Sequence, residues 1–379
     1  MEPFLVAVPD SAIDDLRQRL RHTRWSDEIP GGGWDYGTPV GYLRELCEWW
    51  ANEFDWRVVE KRINAWPQAF ARIDDLRIHF LHVRSPEADA LPLIAMHGWP
   101  GSIVEFLDVI GPLTNPRAHG GDPADAFHLV VPSLPGFGFS GATQRRGVHG
   151  RVMAAALGQL MTDLGYDRYV AQGGDIGALL AALLAERDPA AMPAFHLNLL
   201  PVGPADLTNP FAGLAAEDLD TARRTFGFLA EDAGYWRIQE TRPQTVTYGL
   251  TDSPAAQAAW IVEKFRAWTD CGGDVEAAFT KDQLLANISI YWFTRTANSS
   301  ARFYFENNGP GRAQRYPHTD VPCGYAEFPG EHFKMPRGYV GDRLNLVSWQ
   351  CMPRGGHFPA LQVPDVYIDE VRRFFRDYR

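Results

Sequence analysis

The stretch "AQGGDIGALL" (residues 171–180) places a carboxylate in a turn that could present it to a substrate. Gly173 and Gly177 flank Asp175 at the spacing of a strained turn from a strand into a helix, where a flanking side chain would clash. The N–H groups at the start of the following helix would point at the same place. From this stretch alone two interpretations stay open, a nucleophilic aspartate and an ordinary helix N-cap.

A second loop could supply hydrogen-bond donors to that carboxylate. "HGWPGS" (97–102) directly follows the apolar run "LPLIAM". The backbone N–H of Trp99, together with that of Ile176, predicts a two-donor oxyanion hole. The alternative is a Gly/Pro turn around a packed tryptophan. His97 itself is predicted to make structural hydrogen bonds.

A histidine and an acid could complete the set. His357 lies in "PRGGHFPALQVPD" (353–365), after the last predicted strand, as the order nucleophile, acid, histidine of α/β-hydrolases requires. The acid that holds the imidazole tautomer should follow the preceding strand, in "AEFPGEHF" (326–333). Glu327 and Glu331 are the candidates there, and Asp342 is a third.

An aspartate nucleophile predicts a particular reaction. Its attack on saturated carbon gives an alkyl ester, which a water molecule deprotonated by a histidine–acid pair can hydrolyse. A serine would instead leave an ether with no carbonyl group. The substrates expected are therefore epoxides or alkyl halides. Ser140 in "GFSGA" offers a serine alternative, but it follows the loop "PSLPGF" and precedes no apolar helix. That glycine-rich loop is predicted to line the pocket.

The elements around these loops alternate between strands and helices. We predict an α/β fold with a mostly parallel sheet, because short apolar runs that end in turn residues alternate with helical stretches. The predicted organisation is an N-terminal helical segment (1–75), the first part of the core (76–201), a helical cap (202–315) and the second part of the core (316–379).

Composition excludes several classes of function. The 379 residues carry a formal net charge of −11, which argues against nucleic-acid and anionic-membrane partners. The four cysteines have no metal-site spacing, and no apolar run reaches the roughly 18 residues of a membrane span. We therefore expect a cytoplasmic protein without a metal or cofactor.

Taken together, the motifs resemble the epoxide hydrolases of the microsomal type, which have the α/β-hydrolase fold behind an N-terminal helical segment. The resemblance runs almost end to end and includes "HGWPGS", "VPSLPGFGFS", "GGDIG", "YWFTRTANSSARFYFEN" and "RGGHFPALQVPD". It implies that Asp175 is the nucleophile, His357 the base and Glu331 the acid. Membrane-bound relatives carry an N-terminal anchor, and this chain starts directly in the helical segment.

The resemblance also implies two tyrosines that donate to the epoxide oxygen. Tyr304 in "ARFYFEN" matches one of them, and Tyr235 in "AGYWRIQETRP" matches the other, with Tyr291 and Tyr248 nearby as alternatives. The partners are then an epoxide and water. Aromatic residues near the motifs predict a pocket for a bulky apolar or aryl epoxide, formed by Phe137, Phe139, Trp236, Trp292 and Phe358.

Two rival functions stay open at this point. A haloalkane or haloacid dehalogenase would share the aspartate and histidine, but such enzymes often place a tryptophan after the nucleophile, where this chain has Ile176. A non-catalytic binding protein of the same fold would usually lack the nucleophile or the base.

The biological setting is also an expectation. Only four of the 36 basic residues are lysines, a bias typical of a high-GC bacterium. Soluble relatives of this length occur in actinomycete antibiotic pathways, including enediyne assembly, so the resemblance suggests secondary metabolism or detoxification. Contacts through the cap or a sheet edge could form a homodimer.

Overall fold

The computed structural model describes residues 1–204, 206, 208–312 and 314–379. Within them, nine strands form one sheet in the order β1-β2-β3-β5-β4-β6-β7-β8-β9. The strands from β5 to β9 in this order run parallel, and β1, β2 and β3 are joined to them by antiparallel pairing. Their bounds are β1 Glu2–Pro3, β2 Gln68–Ile73, β3 Leu76–Val83, β4 Leu91–Met96, β5 Phe127–Pro132, β6 Val170–Gly173, β7 Phe195–Leu197, β8 Thr319–Glu327 and β9 Leu344–Cys351.

Fourteen α-helices accompany the sheet in the described part of the chain. Their bounds are α1 Asp10–Arg21, α2 Val40–Asn52, α3 Trp56–Asn64, α4 Ile110–Thr114, α5 Gly150–Asp163, α6 Asp175–Arg187, α7 Ala216–Asp232, α8 Gly234–Thr241, α9 Pro243–Asp252, α10 Pro254–Ala267, α11 Lys281–Thr294, α12 Ala297–Asn308, α13 Pro359–Gln362 and α14 Pro364–Phe375. Helix α6 packs on β4, β6, β7 and β8, next to α5. The prediction of a mostly parallel α/β sheet is confirmed.

The central strands are buried because helices cover them. Leu93, Ile94, Ala95 and Met96 of β4 are completely inaccessible to solvent. Each large aliphatic side chain buried in this way contributes about 1.5–3 kcal/mol. This apolar support holds the carboxyl ends of β4, β6, β8 and β9 in place, which is where functional loops gather in such sheets.

The N-terminal 75 residues are not entirely helical. Residues 68–73 form strand β2, which pairs antiparallel with β3 across a turn at Asp74, and β1 pairs with β2. The prediction of a wholly helical segment is wrong here. Most of β2 is buried, so its sequence "QAFARI" lacks the alternation of apolar and polar residues that marks a half-buried strand.

Helices α7 to α12 lie between β7 and β8 in the chain, inside the range 202–315 that the sequence predicts as a cap. Helix α12 packs on α8 and α9, and α10 packs on α9 and α11. The N-terminal helix α2 contacts α10 and α11. The N-terminal segment therefore packs against the cap. Among the residues that the structure describes, no helix is both long and apolar enough to span a membrane.

Candidate active site

Asp175 occupies a strained turn at the end of β6. It is the first residue of α6 and has a positive φ of 49°, which is rare for a residue other than glycine. A Cβ on Gly173 would lie 2.2 Å from the carbonyl carbon of Gly177, and one on Gly177 would lie 2.1 Å from the carbonyl oxygen of Met96. The N-cap position belongs to Gly174, so Asp175 does not cap the helix.

The backbone around Asp175 supplies the two predicted donors. The N–H of Trp99 donates to Oδ1 of Asp175 at 2.8 Å, and the N–H of Ile176 also donates to this carboxylate. A Cβ on Gly98 would lie 2.2 Å from the same Oδ1 atom, so only glycine admits the carboxylate here. Burial raises the pKa of Asp175, while His357 and these two N–H groups oppose the rise.

His357 lies between two carboxylates. Its Nδ1–H donates to Oε2 of Glu331 at 2.6 Å, and its Nε2 lies 3.7 Å from Oδ2 of Asp175. Burial by itself would lower the pKa of His357, but the attraction of Glu331 and Asp175 raises it to about 9. Burial likewise opposes ionisation of Glu331, yet its contact with His357 keeps its pKa below the ordinary value. Glu331 also accepts a hydrogen bond from the N–H of Phe333 at 2.7 Å.

The structure distinguishes the three candidate acids by position. Glu331 is the one whose carboxylate contacts His357. Glu327 instead accepts a hydrogen bond from the indole of Trp349 at 3.2 Å, and Asp342 is exposed.

Two tyrosines from the cap face this carboxylate. Tyr235 of α8 stacks on the indole of Trp99 with ring centroids 4.9 Å apart. Tyr304 of α12 meets the same indole edge-on at 6.0 Å and Tyr235 at 6.1 Å. Burial raises the pKa of both phenols well above the ordinary value, and the charge of Asp175 adds to the rise. Both tyrosines therefore keep their protons at any physiological pH.

The two neighbouring tyrosines lie elsewhere. The hydroxyl group of Tyr291 donates to the carbonyl oxygen of Gly101 at 2.8 Å, and Tyr248 is 70% exposed.

A cavity of about 180 Å³ connects these groups. Its lining includes the polar groups just described and a largely aromatic and aliphatic wall to which Trp236, Trp268, Phe228, Phe333 and Leu179 belong. An apolar wall with a few convergent polar groups is typical of a small-molecule site.

Of the five aromatic residues predicted to form the pocket, only Trp236 lines this cavity. Phe137 packs edge-on against His97 at 5.6 Å, and Phe139 packs against Phe4 and His79. Trp292 lines a surface groove beside α1, and Phe358 stacks on Phe265 at 4.0 Å. These four do not line this cavity, because closeness to a motif in sequence does not determine which way a side chain points; Phe358 lines a smaller cavity beside Asp175 and His357 instead.

The glycine-rich loop around Ser140 has a structural role. The Ser140 hydroxyl donates to the carbonyl oxygen of Ser133 at 2.6 Å and accepts from the N–H of His79 at 2.9 Å. Ser140 is buried and does not line the cavity, nor does the rest of the loop, contrary to prediction. His97 makes the kind of structural bonds that were predicted, since its Nε2 accepts from the N–H of Leu134 at 3.3 Å.

Behind Tyr235 lies a largely buried ion pair that the sequence analysis did not predict. The ammonium group of Lys264 is 2.9 Å from a carboxylate oxygen of Asp232 and 4.8 Å from the centroid of the Tyr235 ring. The indole N–H of Trp268 donates to the same Asp232 at 3.0 Å. The available signal was a lysine among the aromatic and aliphatic residues of "WIVEKFRAW" (260–268), at the end of α10.

Comparison with known proteins identifies the family. The family described as "Epoxide hydrolase N terminus" matches residues 1–106, and "alpha/beta hydrolase fold" matches residues 92–233. The chain is 36% identical over 400 residues to "Epoxide hydrolase 1" of Sus scrofa, a match that covers 99% of this chain and 88% of that protein. The chain belongs to the epoxide hydrolase family.

Two further relatives agree with this membership. A protein of Stigmatella aurantiaca (strain DW4/3-1) is 44% identical over 378 residues, covering 100% of this chain and 85% of that protein. The crystal structure of juvenile hormone epoxide hydrolase from the silkworm Bombyx mori superposes with a TM-score of 0.89 at 28% identity, over 100% of this chain and 94% of that one. The enzyme is an epoxide hydrolase with the α/β-hydrolase fold, as the resemblance implied.

The dehalogenase and the non-catalytic alternatives lose their support with this result. Ile176 offers no indole donor for a halide. The candidates for nucleophile, base and acid, which are Asp175, His357 and Glu331, lie together. Among the described residues, no group of three or more His, Cys, Asp or Glu side chains is arranged to hold a metal ion.

Proposed function

We propose that the enzyme converts an epoxide to a vicinal diol through a covalent ester on Asp175. One observation carries this proposal. Oδ1 of Asp175 accepts a hydrogen bond from the Trp99 N–H, while Oδ2 lies toward His357, beside the cavity that Tyr235 and Tyr304 line. One carboxylate oxygen is thus held as a future carbonyl oxygen, and the other is free to attack.

In the first half-reaction, Oδ2 of Asp175 forms a bond to one epoxide carbon as the C–O bond of the ring breaks. The epoxide oxygen, which gains negative charge, takes a proton from Tyr235 or Tyr304. A phenol of high pKa cannot protonate a resting epoxide, but it can stabilise and protonate the alkoxide that forms as the strained ring opens. The product of this step is a hydroxyalkyl ester.

In the second half-reaction, Nε2 of His357 takes a proton from a water molecule that attacks the ester carbon of Asp175. The negative charge that develops on Oδ1 is stabilised by the N–H groups of Trp99 and Ile176, each worth about 3–4 kcal/mol in comparable sites. Esterification of Asp175 removes one of the charges that raise the pKa of His357, so the imidazole can lose its proton and act as a base.

The substrate class follows from the cavity wall. Trp236, Trp268 and Phe228 present apolar surface to the substrate, which favours a bulky apolar or aryl epoxide.

A single turnover of styrene oxide in oxygen-18 water tests the covalent route. The proposal requires a first-turnover diol without label and heavy oxygen in the peptide that contains Asp175. Label in the first diol would mean that water attacks the epoxide directly. Diol formation that persists in the Asp175→Ala variant would likewise overturn the assignment of the nucleophile.

Three further expectations stay predictions. They are a homodimer, a cytoplasmic location and a place in secondary metabolism or detoxification, including antibiotic biosynthesis. Size-exclusion chromatography with light scattering would decide the first.

A further inference from the structure

A buried carboxyl group close to Asp175 has no part in the two half-reactions above. Glu105 lies in the short 3₁₀ turn Ile103–Phe106 that follows "HGWPGS", and it is 7% exposed. Among the described residues, none forms a hydrogen bond with its Oε1 atom. A buried carboxyl oxygen without a hydrogen-bond partner lowers the stability of the folded protein, so this arrangement indicates a role other than stabilising the fold.

Local capping accounts for only part of this side chain. Ser102 is the N-cap of the turn, its hydroxyl accepts from the N–H of Val104 at 3.3 Å, and its own N–H donates to the Glu105 carboxyl group. An exposed glutamate at this position of a turn can make the same contact with the N–H of the N-cap residue. It explains neither the burial of Glu105 nor the unpaired Oε1.

The oxyanion-hole loop is shaped around two carboxyl groups. A Cβ on Gly98 would lie 2.2 Å from Oδ1 of Asp175, and a Cβ on Gly101 would lie 1.7 Å from Oε1 of Glu105. Both glycines of "HGWPGS" therefore leave room for a carboxyl group. The loop that places the Trp99 donor also seats Glu105.

Between these groups lies a second, small cavity of about 20 Å³, lined by Glu105, Asp175, His357, Gln172 and Asn198 among others. A polar cavity of this size suits one water molecule, which needs two to four polar partners. Nε2 of His357 is also without a hydrogen-bond partner among the described residues, because Oδ2 of Asp175 at 3.7 Å is too far away.

The small cavity adjoins the substrate cavity and has a different lining. Asp175 and His357 are the two described residues that line both of them. A water molecule in the small cavity can therefore stay bound while the large cavity holds a substrate.

We propose that Glu105 is a further catalytic residue that binds the hydrolytic water. This inference rests on the covalent route proposed above. Oε1 of Glu105 accepts one hydrogen of the water, and Nε2 of His357 takes the other as a proton. The water oxygen bonds to the ester carbon of Asp175, whose carbonyl electron pair moves to Oδ1. As the bond between the ester carbon and the diol oxygen breaks, His357 returns its proton to that oxygen. The carboxylic acid left on Asp175 then gives its proton to the tyrosinate formed in the first half-reaction, and the protonation of Glu105 does not change.

The electrostatics of the site are compatible with this role. Burial raises the pKa of Glu105 to about 8, against the attraction of His357. A neutral carboxyl group at pH 7 keeps a carbonyl oxygen that accepts a hydrogen bond, and it adds no second negative charge beside Asp175.

Loss of the contact between Glu105 and the water should affect the second half-reaction and not the first. Rapid-quench kinetics with styrene oxide measures the rates of the two half-reactions separately. Mass spectrometry of the Asp175 peptide measures ester formation and decay. In Glu105→Met, ester decay should slow by about 10- to 100-fold, because the water loses its orientation, while ester formation stays within about twofold. Both kcat and KM should then fall by the same factor, so that kcat/KM stays unchanged. Glu105→Gln, which keeps an acceptor oxygen, should recover most of the decay rate.

A matched control separates catalysis from loop structure. Ser102→Ala removes the hydroxyl contacts to Val104 and Asn287 but keeps the Glu105 carboxyl group and the backbone N–H that donates to it, so its decay rate should stay close to that of the wild type. If Glu105→Met does not fold, Glu105→Asp, which withdraws the carboxyl group by one methylene, must show the same selective slowing of decay.

The outcomes distinguish this inference from the function on which it rests. An unchanged decay rate in the Glu105 variants, or equal slowing of both steps, overturns the role of Glu105 while the covalent route stands. If the wild-type enzyme forms diol without any ester on Asp175, the covalent route fails, and the role of Glu105 falls with it.

Discussion

Nδ1 of His357 lies 2.6 Å from Oε2 of Glu331, and both side chains are buried. This contact assigns the ring proton to Nδ1 and leaves Nε2 directed toward Asp175, 3.7 Å away. The acid thereby decides which nitrogen can act as the base. Because His357 and Glu331 are both buried, the negative charge of Glu331 also raises the pH at which the imidazolium ring loses its second proton.

The pH dependence of ester decay should therefore be one-sided. The pKa of His357 is about 9 in the resting enzyme, partly because of Asp175, and esterification removes that charge. Ester decay needs the neutral imidazole, so its rate should rise with pH and then reach a plateau. The midpoint of the rise should lie below pH 9, because esterification lowers the pKa of His357. Single-turnover decay measured from pH 6 to 9.5 checks this. A decay rate that falls as the pH rises would contradict the assignment of His357 as a base.

Replacing the base should trap the intermediate. In His357→Gln, ester formation continues because Asp175 and the two tyrosines are intact, but decay should slow by about 10²- to 10⁴-fold. Mass spectrometry should then find one equivalent of styrene oxide on the Asp175 peptide. A His357→Gln variant that releases diol at the wild-type rate would mean that another group activates the water.

Removing a tyrosine hydroxyl should affect the opposite step. Tyr235→Phe or Tyr304→Phe removes one of two donors to the epoxide oxygen, so ester formation should slow by about 10²-fold while decay is nearly unchanged. Tyr248→Phe is the control, since Tyr248 is 70% exposed and lies away from the cavity. Equal effects in all three variants would show that the hydroxyl groups of Tyr235 and Tyr304 have no special part.

The buried ion pair of Lys264 makes a prediction about stability. Lys264→Met removes a buried ammonium group from beside Asp232, whose side chain is 14% exposed, so the free energy of unfolding should fall by less than the about 3–5 kcal/mol of a fully buried pair. Lys281→Met is the control, because its partners Glu45 and Glu276 are 67% and 33% exposed and pairs with exposed partners contribute about 1 kcal/mol or less. Urea unfolding of both variants measures the difference, and equal losses would contradict the prediction.

Sequence reasoning located the site through its turns. Gly173 and Gly177 flank Asp175 in a turn that is packed too closely for a side chain at either glycine. The spacing of these glycines therefore indicates the turn from the sequence alone. The same holds for Gly98 in the loop that places Trp99. The order of strand ends along the chain then predicted that His357 would reach this point, and the structure brings it there.

The choice among similar residues was beyond this reasoning. Glu327 is the last residue of β8, and Glu331 lies four positions later in the loop that follows. Only the path of the chain after β8 turns Glu331 toward His357. Four of the five aromatic residues expected in the pocket pack elsewhere, as Phe358 does against Phe265. Glu105 gave no sign of its proximity to Asp175, because its sequence reads as an ordinary capping box.

The sequence by itself predicted the class of chemistry, because an aspartate in a glycine-flanked turn can attack carbon and still be released by water. It also determined the α/β sheet, whose buried strands follow from hydrophobic patterning. Only the tertiary structure decided which acid holds His357, which tyrosines face Asp175 and which side chains bound the two cavities. These depend on side-chain directions across residues distant in the chain, such as Trp99 and Tyr235, and no local pattern encodes the packing that brings them together.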